Sequence, residues 1–315
     1  MCTAASFRKG GLYFGRTLDN DVSYGEEVVI APRKFDFGFC KGGYAMVGMA
    51  FVCEGYPLFY DAMNEKGLCM AGLNFVGNAR YEKASGGVGE VAQYEFIPYI
   101  LSRCESTEEA AQEIKKIRLT DRPFRPQLPC AQLHWMISDA RRDIVAECTA
   151  EGVNIYENAV GVLANNPPFG QQLLNLSDYM SLSAAQPENT FCPSIDLQRY
   201  SLGMGAIGLP GDLSSRSRFV RAAFARNNCI CDDGQGVNAL FHILGSVEQV
   251  RGCNVLKKGC ETTLYTSCCD ASAGIYYYTT YENHALTAVD MKSRHLNCSK
   301  LMRFPLVKSE KITFA

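Results

Sequence analysis

Residues 1–20 read MCTAASFRKGGLYFGRTLDN, and they predict the structure at the start of the chain. Two runs with strand preference, residues 2–7 and 12–18, flank the pair Gly10-Gly11. Short runs of this kind joined by a glycine-containing turn predict a β-hairpin. The hairpin folds the end of its second strand back toward the first residues, so those two parts of the chain are expected to meet.

Cysteine at position 2 predicts a nucleophile at the start of the mature chain. Methionine aminopeptidase removes Met1 when the next side chain is small, so we expect the mature chain to begin at Cys2. An α-amino group has a pKa of about 7.7–8.0 and a cysteine thiol one of about 8.5. A single residue then carries both the nucleophile and its general base.

Arg16 and Asp19 follow in the strand that the hairpin brings back to Cys2. A cation near a thiol favours the thiolate, and a carboxylate near an α-amino group orients it. The alternative is an ordinary surface ion pair, which contributes little. The position opposite the start of the chain favours the catalytic interpretation.

Hydrolysis through a tetrahedral intermediate also requires donors for the oxyanion. Asn74 and Asn165 each end a predicted strand, where a side-chain amide can serve. Asparagine at such a place is also a common turn former. Because Asn166 directly precedes Pro167, it is the better turn former of its pair, which leaves Asn165 as the oxyanion candidate.

Composition excludes several classes of protein. The chain has 31 basic and 33 acidic residues among 315, a net charge of −2, so no nucleic-acid partner is expected. We see no apolar run long enough for a membrane span and no signal-peptide pattern, which predicts a cytoplasmic protein. The 15 cysteines lack any Cys-x-x-Cys pair and are expected to be mostly buried free thiols.

The order of predicted elements is strands, helices, strands, helices, strands. This grouping favours an α+β protein with antiparallel sheets, and two sheets between helix layers would satisfy it. No Gly-x-Gly-x-x-Gly follows a strand, so a Rossmann fold is not expected. Further strands are predicted at residues 44–53, 58–63, 68–75, 133–138, 144–148, 153–156, 160–163, 263–269, 275–281 and 285–291. Helices are predicted at residues 93–104, 106–117, 214–227 and 235–247, the second opening with a capping box at Ser106 and Glu109.

An ordered set of motifs resembles the choloylglycine hydrolase family of N-terminal-nucleophile (Ntn) hydrolases, which contains bile salt hydrolases and penicillin V acylases. The matching segments are residues 1–3, 15–19, 63–68, 72–75, 134–139, 161–167, 208–212, 217–219 and 276–283. The resemblance implies one Ntn hydrolase domain over residues 1–315 with a four-layer αββα sandwich. It implies no metal and no organic cofactor.

The resemblance also implies roles for single residues. Cys2 is the nucleophile, Arg16 and Asp19 position it, and Asn165 matches the family's oxyanion asparagine. Arg218 matches an arginine that supports the active site, although an arginine in a predicted helix is more often solvated.

Asn74 is the position that discriminates within the family. Bile salt hydrolases typically carry asparagine there, and many penicillin V acylases carry tyrosine. The resemblance further places an apolar substrate pocket at five residues, which are Leu18, Tyr24, Tyr60, Phe124 and Leu128. Simple core packing is the alternative for each of these.

The sequence therefore predicts a bile salt hydrolase that cleaves glycine- or taurine-conjugated bile acids through a Cys2 thioester, an activity of bile acid and lipid metabolism. The nearest alternative is a penicillin V acylase or related linear amide hydrolase or acyltransferase on the same scaffold. An alternative of another class is a cysteine-rich redox or binding protein. By resemblance alone, a homotetramer is expected.

Overall fold

The N-terminal hairpin forms as predicted. In a computed structural model that describes residues 1–314, β1 (Cys2–Arg8) pairs antiparallel with β2 (Leu12–Asn20). Cys2 lies opposite Leu18 in this pairing. The register therefore places Arg16 and Asp19 beside the first residues of the chain.

The remaining elements follow in a strand-rich order. The other strands are β3 (Glu26–Ala31), β4 (Met46–Cys53), β5 (Tyr56–Asn64), β6 (Cys69–Asn74), β7 (Glu90–Ala92), β8 (Arg118–Thr120), β9 (Leu133–Ser138), β10 (Asp143–Thr149), β11 (Gly152–Glu157), β12 (Val162–Leu163), β13 (Thr262–Asp270), β14 (Ile275–Thr280), β15 (Asn283–Asp290) and β16 (Met302–Pro305). The α-helices are α1 (Phe96–Leu101), α2 (Thr107–Ile114), α3 (Phe169–Asn175), α4 (Ser215–Asn228) and α5 (Gly236–Gly245). Short 3-10 helices cover Gln93–Glu95, Leu176–Tyr179 and Met204–Ala206.

Two large antiparallel sheets form the centre of the molecule. One has the order β12-β1-β2-β13-β14-β15 and the other the order β11-β10-β9-β6-β5-β4-β3-β16. Helices α4 and α5 cover the first sheet, and α1 covers the second. The strands β1 and β2 pack against β6 across the space between the sheets. The result is the four-layer αββα sandwich that the sequence predicted.

Two clusters of apolar side chains fill the three interfaces between the layers of this sandwich. One cluster joins the facing sheets to α4 and α5, and it contains Cys2, Leu18 and Phe219. A second cluster lies between the other face of the eight-stranded sheet and α1 and α2, around Phe96 and Trp135. The nucleophile candidate therefore belongs to the core between the sheets rather than to a surface loop.

Two details differ from the sequence prediction. The predicted capping box at α2 is only half formed, because Ser106 accepts from the amide of Glu109 while the Glu109 carboxylate accepts from the amide of Glu105. The helix predicted from residue 93 opens with a 3-10 turn before α1 begins at Phe96. Within residues 1–314, no helix is both long and apolar enough to cross a membrane.

Candidate active site

Cys2 is 2% exposed and is held through its backbone on both sides. Its amide nitrogen donates to Oδ1 of Asn165 at 2.8 Å. Its carbonyl oxygen accepts from Nη1 of Arg218 at 2.6 Å. These contacts come from the segment that follows β12 and from α4, so two parts of the chain that lie much later in the sequence hold the backbone of Cys2.

Arg16 is buried, which contradicts the surface-pair alternative. Its Nη1 donates to the carbonyl oxygens of Gly72 at 2.6 Å and Tyr60 at 3.2 Å. Its Nη2 is buried and has no hydrogen-bond partner in the described part of the chain. Burial opposes the charge, but Cys2, Tyr265 and the nearby carboxylates outweigh it and raise the pKa of Arg16, so the guanidinium stays a cation.

Asp19 is likewise buried, and its carboxylate is held by neighbouring side chains. It accepts from Oγ1 of Thr263 at 2.7 Å and from Nε2 of Gln249 at 3.1 Å. The nearest guanidinium nitrogen in an ion pair with it belongs to Arg218, at 3.9 Å, and not to Arg16. The two arginines and this carboxylate together form the charged surroundings of Cys2.

Arg218 departs most from what its helix position alone suggests. It lies in the first turn of α4, which Ser214 caps by accepting from the amide of Ser217. Its side chain is fully buried and reaches Oδ1 of Asn165 at 2.7 Å as well as the carbonyl of Cys2. Burial lowers the pKa of Arg218, while Asp19 and Cys2 act against that shift. The helix therefore directs a cation inward, onto the start of the chain.

Asn74 and Asn165, the two oxyanion candidates, are in contact. Nδ2 of Asn165 donates to the carbonyl oxygen of Asn74 at 2.8 Å, and the amide of Asn165 donates to Oγ of Ser215 at 2.8 Å. Asn74 ends β6 with its side chain exposed toward the cavity that Cys2 lines. Asn165 thus contacts both Cys2 and the backbone of Asn74, and the side chain of Asn74 lines the same cavity as Cys2.

The amino group of Met1 is enclosed in the same region. It donates to the carbonyl oxygen of Asp19 at 2.6 Å and forms an ion pair with Glu261. Burial lowers the pKa of this amino group; Cys2 and Asp19 act to raise it, and Arg218 and Arg16 act to lower it further. Burial thus disfavours the charged form of the Met1 amino group, whereas the ion pair with Glu261 favours it.

A cavity of about 410 Å³ opens beside Cys2. All five predicted pocket residues line it, together with Cys2, Arg16, Asp19 and Asn74. The predicted pocket residues are Leu18, Tyr24, Tyr60, Phe124 and Leu128. Phe124 packs between Tyr56 and Tyr94, with ring centroids 5.6 and 5.3 Å apart, which holds its loop against the body of the protein. The volume lies in the range typical of small-molecule sites, about 300–1,000 Å³.

Comparison with known proteins identifies the family. Residues 2–304 match the choloylglycine hydrolase family of linear amide C–N hydrolases. The chain belongs to this family. Choloylglycine hydrolases cleave linear amide bonds. Membership therefore excludes the redox or binding protein that the number of cysteines had left open.

Similar proteins support membership in the choloylglycine hydrolase family over nearly the whole chain. It is 46% identical to a bile salt hydrolase/transferase of Lactiplantibacillus plantarum, over 97% of each chain. It is 36% identical to a bile salt hydrolase/transferase of Clostridium perfringens, over 98% of each chain. The crystal structure of a cysteine-to-alanine mutant of the conjugated bile acid hydrolase from Clostridium perfringens matches with a TM-score of 0.93 and 35% identity, covering 100% of this chain and 99% of that one. A penicillin V acylase from Agrobacterium tumefaciens shares the fold, with a TM-score of 0.77 at 18% identity over 98% of this chain and 92% of that one.

Sequence reasoning missed several residues of this choloylglycine hydrolase site. Gln249 and Thr263 hold Asp19, and Glu261 holds the first amino group, although none of them belongs to a recognisable motif. Further cavity residues were also missed, namely Asn20, Phe51, Leu58, Phe59, Gly72, Gln93, Tyr94, Cys130, Ala131 and Leu133. Residues 1–314 contain no group of three or more histidine, cysteine or acidic side chains arranged to hold a metal.

Proposed function

We propose that this enzyme hydrolyses the amide bond between a bile acid and glycine or taurine. One observation carries the proposal: a single cavity joins Cys2 to aromatic and aliphatic side chains such as Leu18, Tyr60 and Phe124. A conjugated bile salt is a large apolar steroid with a polar amide tail, and it needs such a pocket. The relatives named for bile salts, at 32–46% identity over nearly their full length, support the same substrate.

The reaction begins with the loss of Met1, which exposes the amino group of Cys2. That amine takes the thiol proton, directly or through a water, and the thiolate attacks the scissile carbonyl. Asn165 and Asn74 stabilise the oxyanion with their side-chain amides. Glycine or taurine leaves after protonation, and water then hydrolyses the thioester to release the bile acid.

Three charged residues have separate roles in the attack by Cys2. Arg16 has an unpartnered Nη2 and favours the thiolate by its positive charge. Asp19 is fixed by Thr263 and Gln249 and orients the new amino group. Arg218 holds both the Cys2 carbonyl and Asn165, so it sets the nucleophile and the oxyanion site in one frame.

A side-by-side assay tests the substrate. The purified protein, with loss of Met1 verified by intact mass, is given glycocholate, taurocholate and penicillin V, and the free amine is measured. We expect rapid release from a bile salt and little from penicillin V, because Asn74 stands where many penicillin V acylases carry tyrosine. Faster release from penicillin V would overturn the bile salt proposal but leave the Cys2 mechanism in place.

The proposal also includes location and assembly. A cytoplasmic location is supported by the 15 cysteines, all of which are free thiols, as is usual where the compartment is reducing. A homotetramer is supported by exposed apolar side chains between α3 and α4, where Phe191 is 86%, Tyr200 82% and Leu202 91% exposed. Apolar patches of this kind mark sites of association.

A further inference from the structure

His134 is fully buried in β9, and both of its ring nitrogens have partners. Nε2 lies 2.8 Å from the carbonyl oxygen of Ala164, and Nδ1 lies 2.9 Å from Oε1 of Glu147. The ring also stacks on Phe75, with centroids 4.4 Å apart and planes only 5° from parallel. Three contacts therefore fix one imidazole in a fully buried position.

The partners determine where the protons are. A carbonyl oxygen only accepts, so Nε2 of His134 carries a hydrogen and donates it to Ala164. Oε1 of Glu147 already accepts from the amide of Phe169 at 3.0 Å. One further proton lies between Nδ1 and Glu147, whichever of the two holds it. The pair thus contains two protons and has no net charge, which suits a site closed to water.

Two of the ring's contacts, with Phe75 and with Ala164, involve sequence neighbours of the two asparagines at the site. Phe75 is the residue after Asn74, and Ala164 is the residue before Asn165. Asn74 ends β6 of the eight-stranded sheet, whereas Asn165 follows β12 of the six-stranded sheet. Asn165 donates to the carbonyl of Asn74 across this gap. The imidazole of His134 therefore contacts the residue after Asn74 and the residue before Asn165.

We infer that His134, held by Glu147, is a positioning residue that sets the separation of the Asn74 and Asn165 amides. The inference rests on the oxyanion role given to these asparagines in the proposed function. Displacing a catalytic group by about 1 Å costs on the order of 100-fold in rate. A rigid ring between the two strands prevents that displacement.

A matched pair of variants tests the contact that matters. The amide of Gln reaches the place of Nε2 and keeps a donor to Ala164, whereas the amide of Asn reaches only the place of Nδ1. We expect His134→Asn to lower kcat by about 10- to 100-fold and His134→Gln to recover much of that loss, with KM unchanged in both. His295→Gln, on an exposed histidine, is the control and should match the wild type.

Glu147→Gln provides a second variant that leaves the ring in place. Oε1 of Glu147 serves both Nδ1 of His134 and the amide of Phe169. An amide oxygen at that place keeps the Phe169 bond but faces an unprotonated Nδ1, and an amide nitrogen there reaches Nδ1 but loses the Phe169 bond, so one hydrogen bond is lost either way. We expect kcat to fall while thermal unfolding still shows a folded protein. This variant keeps the inference testable if the His134 substitutions do not fold.

Alkylation of Cys2 by iodoacetamide separates this role from general damage. The thiol reacts without an oxyanion, so its alkylation rate should be unchanged in all three variants. Equal losses for Asn and Gln, unchanged kcat in Glu147→Gln, or a parallel fall in alkylation would each overturn the inference. A wild type that cleaves penicillin V but no bile salt would overturn the proposed substrate instead, and the same comparison would then be made on penicillin V.

Discussion

At the scale of single residues, charge around the nucleophile is unbalanced. Two buried guanidinium groups, Arg16 and Arg218, lie near one carboxylate, that of Asp19. Burial raises the pKa of Asp61, another buried carboxyl group, although Arg16 and three hydroxyl donors oppose the shift. A buried cation without a counter-charge is costly, so the surplus positive charge favours the negative charge that the proposed attack creates at this site.

Replacement of the nucleophile gives the most direct prediction. Cys2→Ser should lower kcat by about a thousandfold or more, because a hydroxyl is a far weaker nucleophile than a thiol at neutral pH. Amine release from the preferred bile salt measures the loss. Cys40→Ser is the matched control, since Cys40 packs on the opposite helix layer, and it should keep full activity. Wild-type turnover by Cys2→Ser would refute the mechanism.

The pH profile of the processed enzyme follows from the enclosed amino group. In the processed chain the amino group is that of Cys2, a buried residue held by Arg218. Burial and a neighbouring cation both disfavour the charged form of an amine, so we expect its basic form to persist to lower pH than in a free peptide. We expect kcat/KM to decline on the acid side with a midpoint below about 8, the ordinary value for an α-amino group. A midpoint at or above that value would argue against the amine as the base.

At the scale of secondary-structure elements, local patterns predicted most strands but not all. β9 has the predicted bounds, because an apolar run ends at the polar turn after Ser138. β3 and β16 were missed, since each is short and is held by a partner in distant sequence, where Glu27 pairs with Arg303. Pairing over such a separation leaves no trace in either segment alone.

The site divides in the same way. The hairpin places Arg16 and Asp19 beside Cys2, and their order along the chain was enough to predict this. The helix that carries Arg218 was also predicted, but its inward direction depends on how α4 packs against β1. Gln249 and Thr263 could not be found from sequence because their role arises only from tertiary contact.

A buried carboxyl group joins the two sheets and gives an element-scale prediction. Asp61 in β5 accepts from Tyr265 at 2.6 Å, Tyr276 at 2.7 Å and Ser267 at 3.0 Å, all on β13 and β14. Asp61→Ala leaves three buried hydroxyls without this acceptor and should lower the free energy of unfolding by about 3 kcal/mol. Denaturant titration measures it.

The control for this variant is an exposed aspartate. Asp233 forms only a 3.7 Å surface pair with Lys9, so Asp233→Ala should change the free energy of unfolding by less than about 0.5 kcal/mol. Equal effects of the two substitutions would show that Asp61 does not join the sheets.

At the scale of the whole molecule, the exposed apolar segment between α3 and α4 predicts self-association. We expect light scattering to give the mass of a tetramer for the wild type. Leu202→Lys places a charge in the patch and should shift the population toward smaller species. Val88→Lys, at an equally exposed position outside the segment, should leave the mass unchanged. A monomeric wild type would refute the assembly.

Because β1 is an interior strand, it cannot complete its pairing until a later part of the chain has been synthesised, and this delay affects the removal of Met1. β1 lies between β12 and β2, and β12 begins only at Val162. At roughly 5–20 residues per second, about 10–30 seconds separate the two strands on the ribosome. If Met1 is removed as proposed, that interval is the time in which a peptidase can reach it, because the folded protein buries the amino group against Asp19 and Glu261. Slower translation therefore leaves more time for the removal of Met1. A chain that folds before this removal is expected to keep Met1 and to be inactive.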